Sequence, residues 1–405
     1  MKGIALPSLH DYALRISSLN ALDAMKIDTP TPVQAEAIPP LLEGRDVIGQ
    51  ACTGSGKTLA FALPLVERVD AGEKRVQALV LCPTRELAQQ VGGVLAQVIA
   101  GTEIRSTVVF GGRAIGPQED ALRRGAQIVV GTPGRLLDLL NRGSIRLERI
   151  KFLVLDEADE MLDLGFAPDV QRILARCSKQ RQTALFSATT PEWVHQVSAK
   201  YLKDPVVIQI PSEDGNEPDI DHVVYEVWGG DKFGALRNLL DEQTAGATLV
   251  FCRTKRGVRN LCAKLGRLGY PVDQLQGDLG QAQRDRVIRM FRAGETPILV
   301  ATNIAARGLD VLHIERVINY ELPETHELFT HRVGRTGRMG RAGRAITLLG
   351  VEDLPKWHEI ERGLARQFPR MSPDGKLVTP PPPSRPSNGR KGRRSYGRPR
   401  SLLRR

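Results

Sequence analysis

The sequence predicts an α/β protein built as two tandem units, each a parallel sheet with covering helices, followed by a disordered basic tail. Three observations carry this. Short β-branched or leucine-rich runs recur along the chain without strict apolar–polar alternation, as strands buried on both faces do. Segments of helical length and period lie between them, and strand alternating with helix gives a parallel sheet. The alternation breaks once, at residues 211–221 (PSEDGNEPDID), a polar, acidic, Gly/Pro-bearing stretch that reads as a linker.

In chain order, the first unit (residues 1–210) carries strand patterns at 46–50, 78–82, 107–110, 128–130, 152–155, 183–186 and 206–210. Helical patterns separate them, for example at 85–99 and 169–177. The second unit (residues 222–368) repeats the scheme at 222–227, 247–252, 272–275, 298–301, 316–320 and 345–349. Two units suit 405 residues, since a domain takes roughly 150 residues. Residues 369–405 pass through a proline run at 380–383 and become Arg/Gly/Ser-rich. Such a segment cannot bury enough apolar surface to fold, so it is expected to be disordered.

Composition narrows the class. With 41% hydrophobic and 25% charged residues, the chain is not collagen-like, coiled-coil or wholly disordered. It has no apolar run of about eighteen residues, so no transmembrane helix is expected. The N-terminal apolar run breaks at Pro7, which excludes a secretory signal. The five cysteines (Cys52, Cys82, Cys177, Cys252, Cys262) are odd in number and lack paired metal-ligand spacing. They read as reduced thiols of a cytoplasmic protein. Net charge is +11, and residues 379–405 hold nine Lys/Arg and no Asp or Glu, which leaves +2 (11 − 9) on the rest. A polyanion partner follows, nucleic acid rather than a membrane, because no amphipathic anchor accompanies the basic run.

Two motifs define a nucleotide site. ACTGSGKT (residues 51–58) follows the strand at 46–50 and precedes a helical stretch, the context that a phosphate loop needs. Gly54 and Gly56 let backbone N–H groups surround phosphate oxygens at a helix N-terminus. Lys57 reaches the β/γ-phosphates and the Thr58 hydroxyl ligates Mg²⁺. Asp156-Glu-Ala-Asp159 lies at the carboxyl end of the strand at 152–155, where open α/β sheets place their ligands. Asp156 is the candidate Mg²⁺ carboxylate and Glu157 the group that orients and deprotonates the attacking water. Upstream, PTPVQ (residues 30–34) has two compatible readings. Thr31 and Gln34 fit a capping box with Pro32 at the first helical position, and the Gln34 amide fits the adenine edge.

Taken together these residues resemble the DEAD-box RNA helicases, over about residues 25–350. Gln34 sits as in that family's Q motif. It is followed in the family's order by AxTGxGKT, PTREL (83–87), Gly111-Gly112, TPGR (132–135), DEAD (156–159) and SAT (187–189). The second unit continues with VFCRT (250–254), QAQR (281–284), ATNIAARGLD (301–310) and HRVGRTGR (331–338). Any one motif is weak, but the ordered series is specific. The resemblance implies two tandem RecA-like domains that hold ATP, Mg²⁺ and RNA across their cleft. The activity implied is RNA-stimulated ATP hydrolysis coupled to interdomain closure and local, non-processive separation of short duplexes. The alternative is an ATP-gated RNA clamp or chaperone with little turnover.

The resemblance also assigns roles. Thr53, Ser55 and Asp310 join Gln34, Gly54, Gly56, Lys57 and Thr58 around the nucleotide. Only the first unit has a Gly-Lys-Thr loop, while Arg332, Arg335 and Arg338 recur every third residue in the second and could act from across the cleft. By resemblance, Arg335 and Arg338 are arginine fingers. Asp159, Ser187, Thr189 and His331 couple the nucleotide site to closure. RNA contacts carry over as Pro83, Thr84, Arg85, Gly112, Thr132, Pro133, Gly134 and Arg135, then Arg253, Thr254, Gln281, Arg284 and Thr302. Many are small or backbone-presenting, which suits sugar–phosphate contact with little sequence information. The expected partners are therefore single-stranded or short duplex RNA, with ribosomal precursors or RNA-decay machinery beside it, bound by a monomer. Departures from the family pattern are Lys26-Ile27 in place of Gly-aromatic, Gln276 in place of histidine and Asn303 in place of aspartate. Weaker adenine stacking and slower or more weakly coupled turnover are expected from them.

Overall fold

The structure is a computed structural model. It describes residues 8–51, 54–210, 220–227, 229, 231–242, 244, 246–306, 309, 311, 313–337, 341–372 and 377–378. The first sheet is formed by β1 (Val47–Gln50), β2 (Ala78–Leu81), β3 (Ser106–Val109), β4 (Ile128–Gly131), β5 (Phe152–Leu155), β6 (Gln182–Ser187) and β7 (Val206–Gln209). Its spatial order is β3-β4-β2-β5-β6-β1-β7, and all six pairings are parallel. β1 and β5 flank β6, so the phosphate loop and the acidic motif emerge from the same edge of the sheet.

Alternation of side chains along each strand supplies both faces. Val80, Val154 and Phe186 pack on one side with Phe61, while Leu79, Leu153 and Leu185 pack on the other with Trp193. Each fully buried large apolar side chain contributes about 1.5–3 kcal/mol. This two-faced burial explains why the strands show no polar alternation.

The second sheet comprises β8 (Ile220–Glu226), β9 (Ala247–Phe251), β10 (Val272–Leu275), β11 (Ile298–Ala301), β12 (Ile314–Asn319), β13 (Gly343–Leu349), β14 (Arg370–Met371) and β15 (Leu377–Val378). Its order is β10-β11-β9-β12-β13-β8-β14-β15, parallel except for the antiparallel β14–β15 pair. Helices Lys255–Arg267 and Gln281–Arg292 cover opposite faces beside edge strand β10: Val258 and Leu265 meet Val250 and Val300, whereas Val287 and Phe291 meet Leu249 and Leu299.

The structure moves two expected boundaries. β8 begins at Ile220, inside the stretch read as linker. Residues 370–378 are not wholly tail: β14 pairs with β8, and Arg370 is buried between Glu226 (3.2 Å) and Glu361 (3.0 Å). Phe368 joins Phe329 and Trp357 in an aromatic cluster at ring distances of 5.5–5.6 Å. A two-residue strand buried through an ion triad carries no apolar pattern, and for that reason the sequence reading missed it. The linker at 211–219 and the tail at 379–405 lie outside the described residues.

Candidate nucleotide and RNA cleft

The phosphate loop is built by backbone conformation. Gly54 (φ 86°) and Gly56 (φ 95°) both lie in the left-handed region that favours glycine. A Cβ on Gly56 would come within 2.6 Å of the Gln34 Nε2. No side chain caps helix Lys57–Glu67, so its first N–H groups are left for an anion. Lys57 is buried and its Nζ donates to the Ala51 carbonyl at 2.8 Å. Ser55 and Thr58 stand beside it in the turn and the first helical turn. Thr53, assigned with them, lies outside the described residues, as do Asp310 and Arg338.

Gln34 is held at both ends of its amide. Oε1 accepts from the Thr31 N–H at 2.9 Å, and Nε2 donates to the Gly56 carbonyl at 3.0 Å. The Gln34 half of the capping box is thus present, while the Thr31 hydroxyl finds no partner among the described residues, and the amide rests against the phosphate loop. Each amide atom retains one further hydrogen-bonding position.

Asp156 and Glu157 follow β5 and are almost wholly buried, at 2% and 7% exposure. Glu157 adopts φ 52°, a left-handed conformation costing of order 1–3 kcal/mol, which persists only where the surroundings over-determine it. The two carboxyls are driven apart. Burial pushes Asp156 up to about 7, against the pull of Lys57 and with the repulsion of Glu157. Glu157 is also pushed upward by burial, but a hydrogen bond with Glu160 and the charges of Lys57, Arg335 and His331 outweigh that and hold it below its usual range. Asp156 Oδ1 is buried with no protein partner. That orphaned acceptor, with the Thr58 hydroxyl in the helix that follows β1 on the other side of β6, fits a hydrated Mg²⁺ that takes its remaining ligands from phosphate and water.

Asp159 gathers the end of β6. Its Oδ2 accepts from the Thr189 N–H (2.8 Å), the Thr189 hydroxyl (2.9 Å) and the Ala188 N–H (3.2 Å), while its own N–H donates to the Ser187 hydroxyl (3.2 Å). The second lobe closes over this group. Glu157, Asp159, Glu160 and Ala188 from one side share a small cavity with His331 and Arg335 from the other. Arg335 is 6% exposed, and its Nε donates to the His331 carbonyl at 3.2 Å. Arg332 does not join them. It turns into the second lobe, donating to Asn303 (2.6 Å), Asn319 (2.9 Å) and the Glu321 carbonyl (2.6 Å). Arg332 lies in helix His326–Val333 and Arg335 in the turn beyond its end, so the every-third-residue spacing did not imply one shared target. Gln276 is buried, and its side-chain Oε1 accepts from the Asp278 N–H at 2.7 Å. Ile27 packs against the first core.

The residues assigned to RNA lie on both lobes, and Arg85 and Gln281 meet between them. Thr84 caps helix Arg85–Val98, and Thr132 and Pro133 open helix Pro133–Asn141. Across the cleft Thr254 caps helix Lys255–Arg267, and Gln281 and Arg284 lie in the first turn of the next helix. Thr302 follows β11, and Arg253 is exposed. Several meet directly: the Arg85 Nη1 donates to Gln281 at 2.5 Å, and Arg284 Nε donates to Glu86 at 2.5 Å. Gly112 (φ 83°) lets Arg85 approach, since a Cβ there would stand 2.3 Å from its Nη1. Glu86, Arg113 and Asp285 were not singled out from the sequence. Arg113 pairs with Asp285 at 2.7 Å across the lobes, a partnership that only the fold reveals.

Comparison with known proteins agrees with this layout. A DEAD/DEAH box helicase model matches residues 31–197, and a helicase conserved C-terminal domain model matches residues 231–340. The chain belongs to the DEAD-box helicase family. It is 41% identical to the DEAD-box ATP-dependent RNA helicase CshA of Geobacillus kaustophilus over 91% of this chain and 79% of that protein. Its tandem RecA-like fold is similar to that of S. cerevisiae Dbp5 bound to RNA and ADP BeF3, with a TM-score of 0.83, 34% identity and coverage of 91% of this chain and 96% of that one. A variant of Dbp5 bound to Nup159, a Gle1 variant, IP6 and ADP gives a TM-score of 0.62 at 33% identity, covering 89% and 96%.

Proposed function

We propose that this chain is an ATP-dependent RNA helicase whose ATP hydrolysis is stimulated by RNA and coupled to closure of its two lobes. The observation that carries the proposal is the cavity shared by Glu157 of one lobe and Arg335 and His331 of the other. A carboxylate held ionised and a guanidinium face the same space only when the lobes are together. In this reading the phosphate loop and Gln34 hold ATP, and Lys57 exchanges the Ala51 carbonyl for phosphate oxygens. Glu157 orients and deprotonates water, and Arg335 meets the charge that develops on the transferred phosphoryl group. An arginine supplied in this way is worth about 10³–10⁵ in kcat. Thr58 and Asp156 would hold Mg²⁺, which neutralises phosphate charge.

RNA enters the same equilibrium. Arg85, Gly112 and Thr132–Arg135 on one wall and Arg253, Thr254, Gln281, Arg284 and Thr302 on the other supply hydroxyls, guanidinium groups and helix N-termini. These suit a sugar–phosphate strand of any sequence. A strand gripped by both walls is unavailable for continuous pairing, so closure opens a short duplex locally, and hydrolysis releases the strand without processive travel. One chain completes the site, as a monomer requires.

The test is ATP turnover with and without RNA, with single-stranded DNA as control, alongside displacement of a strand from a short RNA duplex. RNA-specific stimulation with ATP-dependent displacement is expected. Turnover indifferent to RNA would overturn the proposal, and RNA stimulation without displacement would favour the clamp.

A further inference from the structure

Residues 253–292 contain ten Lys/Arg and three Asp/Glu, a net +7, although residues 1–378 as a whole sum to only +2. The remainder of the body therefore sums to −5, so this stretch carries a local basic excess that the rest of the body as a whole does not. The fold gathers that stretch at one end of the second sheet, as helices Lys255–Arg267 and Gln281–Arg292 on either side of edge strand β10. Arg256, Arg259, Arg267, Arg286 and Arg289 are all exposed. Of the three acids, Asp285 is turned to Arg113 across the cleft and Asp273 accepts from Thr296, leaving Asp278 against Lys255 and Arg259.

A helix face that served only solubility would mix both signs and place acids early. Helix Lys255–Arg267 has five cations and no acid, and it puts Lys255 and Arg256 in the first turn. Lys255 is offset there by its pair with Asp278, whereas Arg256 meets the positive end of the helix dipole at a cost of about 0.3–1 kcal/mol. The arrangement is unfavourable for the isolated protein and favourable once an anion arrives. Both helices begin at the candidate RNA contacts, Thr254 and Gln281, so the basic faces continue outward from the cleft wall. From Arg256 to Arg267 the helix runs about 16 Å, a length over which duplex nucleic acid presents roughly ten phosphates.

We propose that these exposed helix faces form an outer track for the RNA phosphate backbone, holding the part of an RNA that lies beyond the clamp. This rests on the RNA-helicase reading above and adds to it where the rest of the RNA goes.

The test replaces Arg256, Arg259 and Arg267 together by glutamine in the full chain. Binding is measured against salt for three probes: a long single strand, a hairpin with a single-stranded overhang, and an oligonucleotide short enough to fill only the cleft. For the long strand the log–log salt slope is expected to fall by about 2, three cations at about 0.7 each. Short-oligonucleotide binding and RNA-free ATP turnover should match the parent. A larger loss on the hairpin than on the single strand would assign the track to duplex, and the reverse to single strand. An unchanged slope on both long probes, or an equal loss on the short oligonucleotide, overturns the track while leaving the helicase reading intact. If the unsubstituted protein itself ignores RNA, the functional reading fails first.

Discussion

Replacing Glu86 by alanine should unlock the lobes while leaving each intact. Glu86 and Arg284 have side-chain exposures of 9% and 13%, and their 2.5 Å bond spans the cleft. Removing one partner of a buried ion pair costs about 3–5 kcal/mol, because the other charge is left uncompensated. Arg284 keeps its 2.6 Å bond to the Ala305 carbonyl in its own lobe, which places the loss near the lower end, about 3 kcal/mol. In the open form both groups face water, so the loss falls on closure alone and shifts that equilibrium about 10²-fold. An interlobe dye pair, titrated with RNA in the presence of ATP, measures it; thermal unfolding should be unaffected. Arg113→Ala serves as the internal ruler. Its pair with Asp285 has exposures of 53% and 32%, and exposed pairs are worth about 0.2–1 kcal/mol, less than tenfold. Glu86 is not among the RNA contacts, so closure that is indifferent to its removal would refute the idea that this pair holds the lobes together.

Other substitutions test the chemistry. Glu157→Gln should bind ATP and RNA normally while turnover falls about 10²–10⁴-fold, the usual worth of a general base; single-turnover kinetics near the parent rate would remove Glu157 from that role. Gly112→Ala forces a Cβ into the Arg85 guanidinium at φ 83°, a backbone cost of about 1–2 kcal/mol; RNA affinity should fall with RNA-free turnover preserved, as fluorescence anisotropy and an ATPase assay would show. Gln34→Ala should narrow the preference for ATP over GTP, measured as the ratio of their kcat/KM values. An unchanged ratio would leave Gln34 only its bonds to Thr31 and Gly56.

Much of the fold was legible because its strands are buried on both faces. Runs such as Leu79–Leu81 and Leu153–Leu155 are apolar throughout, and their spacing from helical segments gives the order of the first sheet's elements. The phosphate loop was legible because glycines at left-handed positions leave a mark in the sequence. The interlobe pairs were not, since Glu86 and Arg284 stand 198 residues apart and the motif that marks Arg284 says nothing of its partner. Arg332 was misread for a related reason: a regular spacing of arginines does not say which of them points inward, and its partners Asn303 and Asn319 come from β11's following turn and from β12.

The triad at Arg370 sets where this molecule can be shortened. A chain ending at residue 368 would leave Glu226 and Glu361 facing each other without their shared cation, at 2% and 7% exposure. Removing the shared partner of a buried ion pair is strongly destabilising, because the charges left behind are uncompensated. The truncated lobe should therefore melt earlier, whereas a stop after Val378 should keep the melting temperature of the whole protein. Calorimetry on the two truncations would separate the cases, and the natural edge of the helicase module would be drawn ten residues beyond the last apolar pattern.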